Sequence, residues 1–178
     1  MARYRRSRWR ELIATVGILL LVAIRWWSGG PTSDSAAGRN AAGRLQPGMY
    51  AVGRVVDGDT LDLAGPRIRV RLQGVDTPET VKLNTPVQPW GREASDFTRR
   101  FVDESGNRVR VEISGEPLDQ HGRHLAFLWH GDRLLNEELV SHGLARATLQ
   151  YDFSERMKER LRRAQRAAKR ARVGVWSP

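Results

Sequence analysis

Three carboxylates and two arginines in the middle of the sequence have the types and spacing needed for chemistry on a phosphodiester. Asp59 follows an Asp-Gly turn signal, and Asp76 and Glu79 stand three residues apart. Arg71 lies five residues before Asp76, and Arg123 follows some fifty residues later. Clustered carboxylates repel one another unless a cation joins them. Two guanidinium groups can hold a phosphodiester and stabilise the extra negative charge of its transition state.

Each motif also has a purely structural interpretation when it is taken alone. The stretch 57–60 is typical of a hairpin turn, while Asp76 with Glu79 fits a helix start closed by a capping box. The stretch 119–123 fits a polar turn before a strand. An EF-hand calcium loop is excluded, because Ile68 stands where that loop needs a bidentate glutamate. The assembly of carboxylates and arginines therefore carries the functional interpretation.

The composition excludes several other kinds of site. The chain has no cysteine, which rules out disulfides, thiolate zinc sites, iron–sulfur clusters and cysteine nucleophiles. The sequence has no glycine-rich phosphate loop, no nucleophile elbow and no dinucleotide-binding fingerprint. His121 and His124 with Asp119 come nearest to a zinc pattern, but a third nearby nitrogen ligand is missing. We interpret these histidines as structural.

Short alternating segments predict the elements that must position the site. In 67–72 every second residue is apolar, so Arg69 and Arg71 project from the face opposite the core. Asp57 and Gly58 separate two further strands, as expected for a two-residue turn whose central residues tolerate positive φ. The predicted strands are 49–56, 60–64, 67–72, 108–113 and 123–129, and the predicted helices are 91–102, 136–142 and 154–172.

These elements predict an α+β fold in which a small five-stranded barrel carries about three helices. Periodicity alone does not show whether the barrel closes. The last helix has Ser154 as its N-cap and Gly174 as its end signal. It also carries nine basic residues. They form either the solvated face of an amphipathic helix or a surface attracted to nucleic acid or anionic lipid.

The net charge of +10 is unevenly distributed along the 178 residues. Residues 1–44 carry 8 basic and 2 acidic side chains, residues 45–153 carry 13 and 16, and residues 154–178 carry 9 and 2. The basic excess therefore lies at the two ends, and the part with the candidate site is slightly acidic. A protein that coats nucleic acid uniformly is not the first interpretation.

Residues 1–27 predict a basic leader and a membrane segment. An apolar run over 12–24 follows five arginines and ends at Arg25, Trp26 and Trp27. A core helix, a cleaved signal peptide and an uncleaved signal anchor are the alternatives. We favour the anchor, because bulky residues stand where a cleavage site needs small ones. The rest of the chain would then lie on the exported side, periplasmic or extracellular, and a cleaved, secreted form stays open.

A flexible linker is predicted between this segment and the globular domain. Residues 28–47 are rich in Gly, Ser, Ala and Pro, and a coil of that length spans roughly 25 Å. The globular domain is therefore predicted to cover residues 48–178.

Seven short stretches of this domain occur in an order that resembles one known family. They are 56–60, 71–80, 90–94, 119–123, 136–140, 143–145 and 175–176. Together they resemble the staphylococcal nuclease (thermonuclease) family. The resemblance implies an OB-fold-type barrel and a calcium-dependent endonuclease that hydrolyses DNA and RNA and leaves 3′-phosphate ends.

The resemblance also implies a Ca²⁺ site. By position, Asp59 and Asp76 match the carboxylate ligands and Thr77 matches a ligand through its backbone carbonyl. Asp57 matches an acidic residue with an indirect role near the metal.

The same resemblance assigns the catalytic groups. Glu79 matches the general base, and Arg71 and Arg123 match the two arginines that bind phosphate. His121 stands where the family commonly has a tyrosine, and Leu149 replaces another aromatic residue of the nucleotide pocket. These two departures predict altered nucleotide affinity with the chemistry retained.

Two other functions compete with the nuclease hypothesis. One is a non-catalytic OB-fold module that binds nucleic acid, and the other is a membrane-attached scaffold that uses the basic helix. Retention of every matched active-site residue favours the enzyme. DNA and RNA substrates and a membrane are the expected partners, and no obligate protein partner is evident.

Overall fold

The computed structural model describes residues 44–65, 68–80 and 88–178. The predicted leader and anchor, residues 1–27, and the linker up to residue 43 lie outside the described residues. Within the described ranges, no helix is both long enough and apolar enough to cross a bilayer.

Eight strands and three α-helices make up the described domain. In chain order they are β1 (Gly48–Asp57), β2 (Thr60–Leu63), β3 (Ile68–Leu72), β4 (Val75–Asp76), α1 (Gly91–Glu104), β5 (Arg108–Glu112), β6 (His124–His130), β7 (Arg133–Leu134), α2 (Leu135–Ser141), β8 (Arg146–Ala147) and α3 (Glu155–Ala171). A 3₁₀ helix, Gly174–Trp176, follows α3.

Five of the strands form a closed barrel. Antiparallel pairs join them in the order β3-β2-β1-β5-β6, and β3 pairs with β6 in parallel to complete the circle. Val70 lies opposite His124, and Leu72 lies opposite Ala126. The predicted α+β fold with a five-stranded barrel and three helices is confirmed. The parallel pair supplies the closure that periodicity left open.

The barrel interior and the helices share one apolar core. Val70 and Leu72 of β3 are buried, whereas Arg69 and Arg71 on the opposite face are not, as the alternation predicts. Helix α3 covers the core with a stripe that repeats at helical spacing. The buried residues of that stripe are Met157, Leu161, Ala164 and Ala168.

The turn between β1 and β2 differs from its prediction. Asp57 pairs with Thr60, so the central turn residues are Gly58 and Asp59, and Gly58 does not have a positive φ. Gly58 is required instead because there is no room for a side chain at this position. A Cβ at Gly58 would lie 2.8 Å from the Cβ of Ala94 and 2.9 Å from Oγ1 of Thr77. The glycine thus lets the turn pack tightly under α1.

The N-terminal end of α3 matches its prediction, and the C-terminal end differs from it in detail. Ser154 is the N-cap, and its Oγ accepts from the backbone N–H of Met157 at 3.4 Å. At the other end Arg172 is the C-cap, with φ of 53°, and Gly174 lies two residues further on with a positive φ of 57°. Gly174 is required because a Cβ there would overlap the carbonyl of Gly143. That close approach fixes the C-terminal turn against the domain.

Candidate active site

Arg71 holds two carboxylates with one guanidinium group. Its Nη1 forms an ion pair with Oδ1 of Asp59, and its Nη2 lies 2.7 Å from Oδ1 of Asp76. Nη2 also donates to the carbonyl of Val75 at 3.3 Å. Arg71 lies in β3, Asp59 in the β1–β2 turn and Asp76 in β4, so these three elements must be correctly aligned for the contact to form.

Asp59 is a buried charge with a complete set of partners. It is 1% exposed, and its Oδ2 accepts from the backbone N–H of Thr77 at 2.8 Å and from its hydroxyl at 2.9 Å. Burial raises the pKa of Asp59 above its ordinary value, although Arg71 and Thr77 both act to lower it. Thr77 is thereby fixed beside the carboxylate.

This donor set fits a hard divalent cation. Asp59 and Asp76 already share one positive group, and their oxygens, with the carbonyl of Thr77, are the kind of ligand that Ca²⁺ prefers. Across the described residues, no group of three His, Cys, Asp or Glu side chains is placed to hold a metal.

Asp76 and Glu79 do not form the capping box that was the structural alternative. Asp76 lies in β4 opposite Arg146 of β8, and residues 77–79 belong to neither a helix nor a strand. The segment with Glu79 is held by Gln88: the N–H of Glu79 donates to Oε1 of Gln88 at 3.1 Å, and the N–H of Gln88 donates back to the carbonyl of Glu79 at 3.0 Å. These contacts fix the backbone at Glu79.

Asp57 connects that same segment to helix α1. Its Oδ1 accepts from Thr80 Oγ1 at 2.5 Å, from Ser95 Oγ at 3.1 Å and from Gly58 N–H at 2.7 Å. The resemblance to the family implied only an indirect role for Asp57, and Thr80 and Ser95 were not among the predicted residues. A signal was present, because Ser95 and Thr98 are polar residues on the buried face of α1.

Asp119 orients Arg123. The Nε of Arg123 donates to Oδ2 of Asp119 at 2.6 Å, and the backbone N–H groups of Arg123 and His121 donate to its Oδ1 at 2.9 and 2.8 Å. Burial acts to raise the pKa of Asp119, but these hydrogen bonds outweigh it, so the pKa lies below its ordinary value. Asp119 is therefore a charged anchor for the arginine.

The predicted residues converge on one open cleft. Arg71, Asp76, Glu79 and Arg123 line the same space of about 760 Å³. The other lining residues are Asp62, Arg69, His121 and Gly122. Asp59 and Thr77 are buried and do not line the cleft: Asp59 forms an ion pair with Arg71, and Thr77 donates to Asp59. Asp62, which the sequence analysis did not identify, is held by Arg69 at 2.8 Å and Arg54 at 2.7 Å.

A second cavity of about 490 Å³ adjoins the cleft. It shares Arg71 and Arg123 with the cleft, and His121 and Tyr151 also line it. Leu149 packs against the core and is not among the described residues that line this cavity. The two positions that depart from the family pattern are therefore placed differently, because His121 faces the open space and Leu149 does not.

Comparisons with known proteins agree with the barrel and the site. The family model described as staphylococcal nuclease homologue matches residues 69–178. The chain is 40% identical to the thermonuclease of Staphylococcus hyicus over 93% of its own length and 95% of that protein, and 40% identical to the thermonuclease of Staphylococcus intermedius over 93% and 94%. It is 33% identical to endonuclease YncB of Bacillus subtilis over 70% of its length and 59% of that protein.

The fold and the comparisons define a hydrolytic nuclease of the OB-barrel class. The chain belongs to the staphylococcal nuclease family.

Proposed function

We propose that this protein is a calcium-dependent endonuclease that hydrolyses phosphodiester bonds of DNA and RNA and leaves 3′-phosphate ends. The observation that carries the proposal is the convergence of two arginines, Arg71 and Arg123, with Glu79 and Asp76 on one open cleft. The names of the thermonucleases and the endonuclease among its relatives support the same class of reaction.

Binding of the phosphate is the task of the two arginines. Arg71 and Arg123 are each held by carboxylates, so their guanidinium groups are oriented before substrate arrives. Planar guanidinium groups can donate to phosphate oxygens in pairs, which a lysine cannot do. As negative charge builds up on the phosphoryl oxygens, these donors stabilise it without reorganising.

Glu79 is the proposed general base. Its carboxylate lines the cleft beside Asp76, and its Oε1 accepts from the N–H of Thr80 at 3.1 Å. In this position it takes a proton from a water molecule that attacks phosphorus in line, and the 5′-oxygen departs. General-base assistance of this kind contributes roughly 10²- to 10⁴-fold to the rate.

Calcium is the proposed cofactor because the donors are all oxygen. Asp59, Asp76 and the carbonyl of Thr77 would hold it, and bound there it would supply Lewis-acid stabilisation of charge on the phosphate. The buried Asp59 paired with a single cationic group supports a cation-binding role for this pair of carboxylates.

The alternative is a nucleic-acid-binding module of the same fold without catalysis. The chain keeps each of the matched residues, Asp59, Arg71, Asp76, Glu79 and Arg123, which a module that only binds would not need. This retention favours the enzyme.

The test is cleavage of single-stranded DNA and RNA by the full chain, with millimolar calcium or with chelator. We expect calcium-dependent cleavage at internal bonds, with product ends that a 3′-phosphatase converts to 3′-hydroxyl groups. Binding in calcium with no cleavage would overturn the nuclease proposal and leave the binding module. Equal cleavage in chelator would overturn the calcium requirement.

Attachment to a membrane, with the domain on the exported side, is a further part of the proposal and is supported by the sequence of residues 1–27. Protease digestion of spheroplasts, from which any outer envelope has been removed, tests it. An exported domain is degraded from outside, and a domain protected until the spheroplasts are lysed contradicts the proposal.

A further inference from the structure

A groove opens from the catalytic cleft on the side of Asp76. Asp76 lines both the cleft and this groove, whose volume is about 460 Å³. Pro78, Trp90, Arg146 and Val175 are among the residues that line the groove. A strand with its phosphate at the arginines would therefore meet this groove where it leaves the cleft.

Trp90 gives the groove an aromatic surface. Its side chain is 37% exposed, which makes it one of the few large apolar residues that the described part of the chain leaves open to solvent. The backbone at Trp90 is in the left-handed conformation, with φ of 70°, and its carbonyl accepts from the N–H of Ala94 at 3.0 Å. An exposed indole on a fixed backbone is suited to stacking against a planar ligand.

Arg146 gives the groove a positive charge that forms no ion pair with the carboxylates of the described residues, although Asp76, opposite it in the β4–β8 ladder, lines the same groove. Among the ion pairs of the described residues, none includes Arg146. Its guanidinium carbon lies 4.3 Å from the ring centroid of Trp176, and its Nη2 donates to the carbonyl of Val175 at 3.5 Å. The guanidinium thus has a fixed place while its charge stays available to a phosphate.

The walls of the groove are held together by backbone contacts. Asp76 pairs with Arg146 across the β4–β8 ladder. The N–H of Val175 donates to the carbonyl of Gly143 at 2.8 Å. The groove is therefore largely formed before a ligand arrives, which lowers the entropic cost of binding.

We propose that this groove is a nucleotide subsite: a base of single-stranded DNA or RNA stacks on Trp90 while Arg146 contacts the adjoining phosphate, one step along the strand from the scissile phosphate. The proposal rests on the proposed nuclease function, because it takes the cleft as the place of the scissile phosphate. An aromatic platform together with a positive charge is the combination that binds single strands without sequence preference.

The first test removes each partner of the stack in turn. Dissociation constants are measured in calcium for the full chain carrying Glu79→Gln, with an oligothymidylate of about ten nucleotides and with versions lacking one base at each position. We expect that loss of the base at one position of the oligonucleotide weakens binding about tenfold. Trp90→Ala should weaken binding of the complete oligonucleotide by a similar factor. When Trp90→Ala binds the oligonucleotide that lacks this base, the two losses of affinity should not add, because each change removes the same contact.

Trp90→Phe is the matched control, because it keeps an aromatic surface and should retain most of the affinity. If Trp90→Ala and base removal act independently at every position, the subsite is overturned, even if the wild-type chain cleaves DNA. If the contacts behave as expected but the wild-type chain does not cleave, the nuclease proposal fails and the groove is a single-strand binding site without a scissile phosphate beside it.

The second test concerns Arg146. Arg146→Gln should weaken binding about fivefold at low salt and reduce the slope of log affinity against log salt concentration by about one. Arg163→Gln is the matched control, since Arg163 is exposed on α3 and does not line the groove. An equal effect of the two substitutions would show a general charge effect and overturn the phosphate contact.

Discussion

Asp57 and Thr80, 23 positions apart in the chain, are joined by a hydrogen bond of 2.5 Å from Thr80 Oγ1 to Asp57 Oδ1. The bond ties the segment that carries Glu79 to the turn that carries Asp59. Ser95 donates to the same carboxylate oxygen at 3.1 Å, so helix α1 takes part in the same connection. Asp57 is in this way a positioning residue for two groups of the candidate site.

Thr80→Val should weaken this connection without changing the shape of the side chain. Loss of a hydrogen bond to a buried carboxylate lowers the free energy of unfolding by about 1–3 kcal/mol. We also expect kcat to fall and KM to change little, because Glu79 is displaced while the arginines are not. Denaturant titration and steady-state kinetics measure the two effects. Thr80→Ser keeps the hydroxyl and should restore most of kcat, and failure of that rescue would contradict the positioning role.

Glu79→Gln should abolish most of the catalytic rate and leave nucleic-acid binding intact. The substitution removes the proton acceptor, so the rate in calcium should fall roughly 10²- to 10⁴-fold. Single-turnover cleavage and an equilibrium binding assay on the same preparation separate the two properties. Glu155→Gln, at an exposed glutamate on α3, is the control and should cleave like the wild type. A variant at Glu79 with nearly normal turnover would exclude this residue as the base.

Arg71→Lys conserves the charge and should still reduce the rate about a hundredfold. A lysine cannot contact Asp59 and Asp76 through separate donors of one planar group, as Arg71 does. Arg108→Lys changes an exposed arginine on β5 in the same way and should cleave normally. The comparison uses kcat/KM on single-stranded DNA. Equal values for the two variants would show that charge alone matters at position 71.

Gly58→Ala should destabilise the domain through crowding. The new Cβ would lie 2.8 Å from the Cβ of Ala94 and 2.9 Å from Oγ1 of Thr77, and overpacking of this kind costs about 1–3 kcal/mol. Gly53→Ala is the matched control in the same strand pair, where the nearest atom, the Cα of Ala64, is 3.4 Å away. Thermal melts of both variants test the difference. Equal melting temperatures would refute the explanation from space.

The carboxylate of Asp119 should make stability depend on pH in the acid range. Its pKa is lower in the folded protein than in the unfolded chain, so the unfolded state binds the proton more readily. The stability that it contributes is present above the unfolded pKa and is lost as the pH falls through the depressed folded pKa. The difference in unfolding free energy between wild type and Asp119→Asn should therefore shrink on acidification. A difference that grows as the pH falls would contradict this sign.

Local patterns in the sequence were sufficient for much of the fold. Alternation placed the strand with Arg71 on the correct face, and Ser154 caps α3 as predicted. The reason for Gly58 was predicted wrongly, because a turn dipeptide signals φ whereas the actual constraint is the approach of α1 from more than thirty residues away. At the end of α3, Arg172 is the C-cap, and Gly174 combines a positive φ with a close contact to Gly143 that local spacing does not reveal.

The sequence by itself determined the kinds of groups present and, through its ordered motifs, the family. Only the tertiary structure brings these groups together around one cleft. Closure of the barrel pairs β3 with β6 in parallel, with Arg71 opposite Leu125. His124, the residue after Arg123, lies opposite Val70, so the strand of Arg71 lies beside the strand that directly follows Arg123. Nothing in the local spacing requires that pairing. It arises because a small, twisted sheet encloses its apolar face and removes its open edges when those edges join. The groove with Trp90 and Arg146 likewise brings together residues that are far apart in the chain.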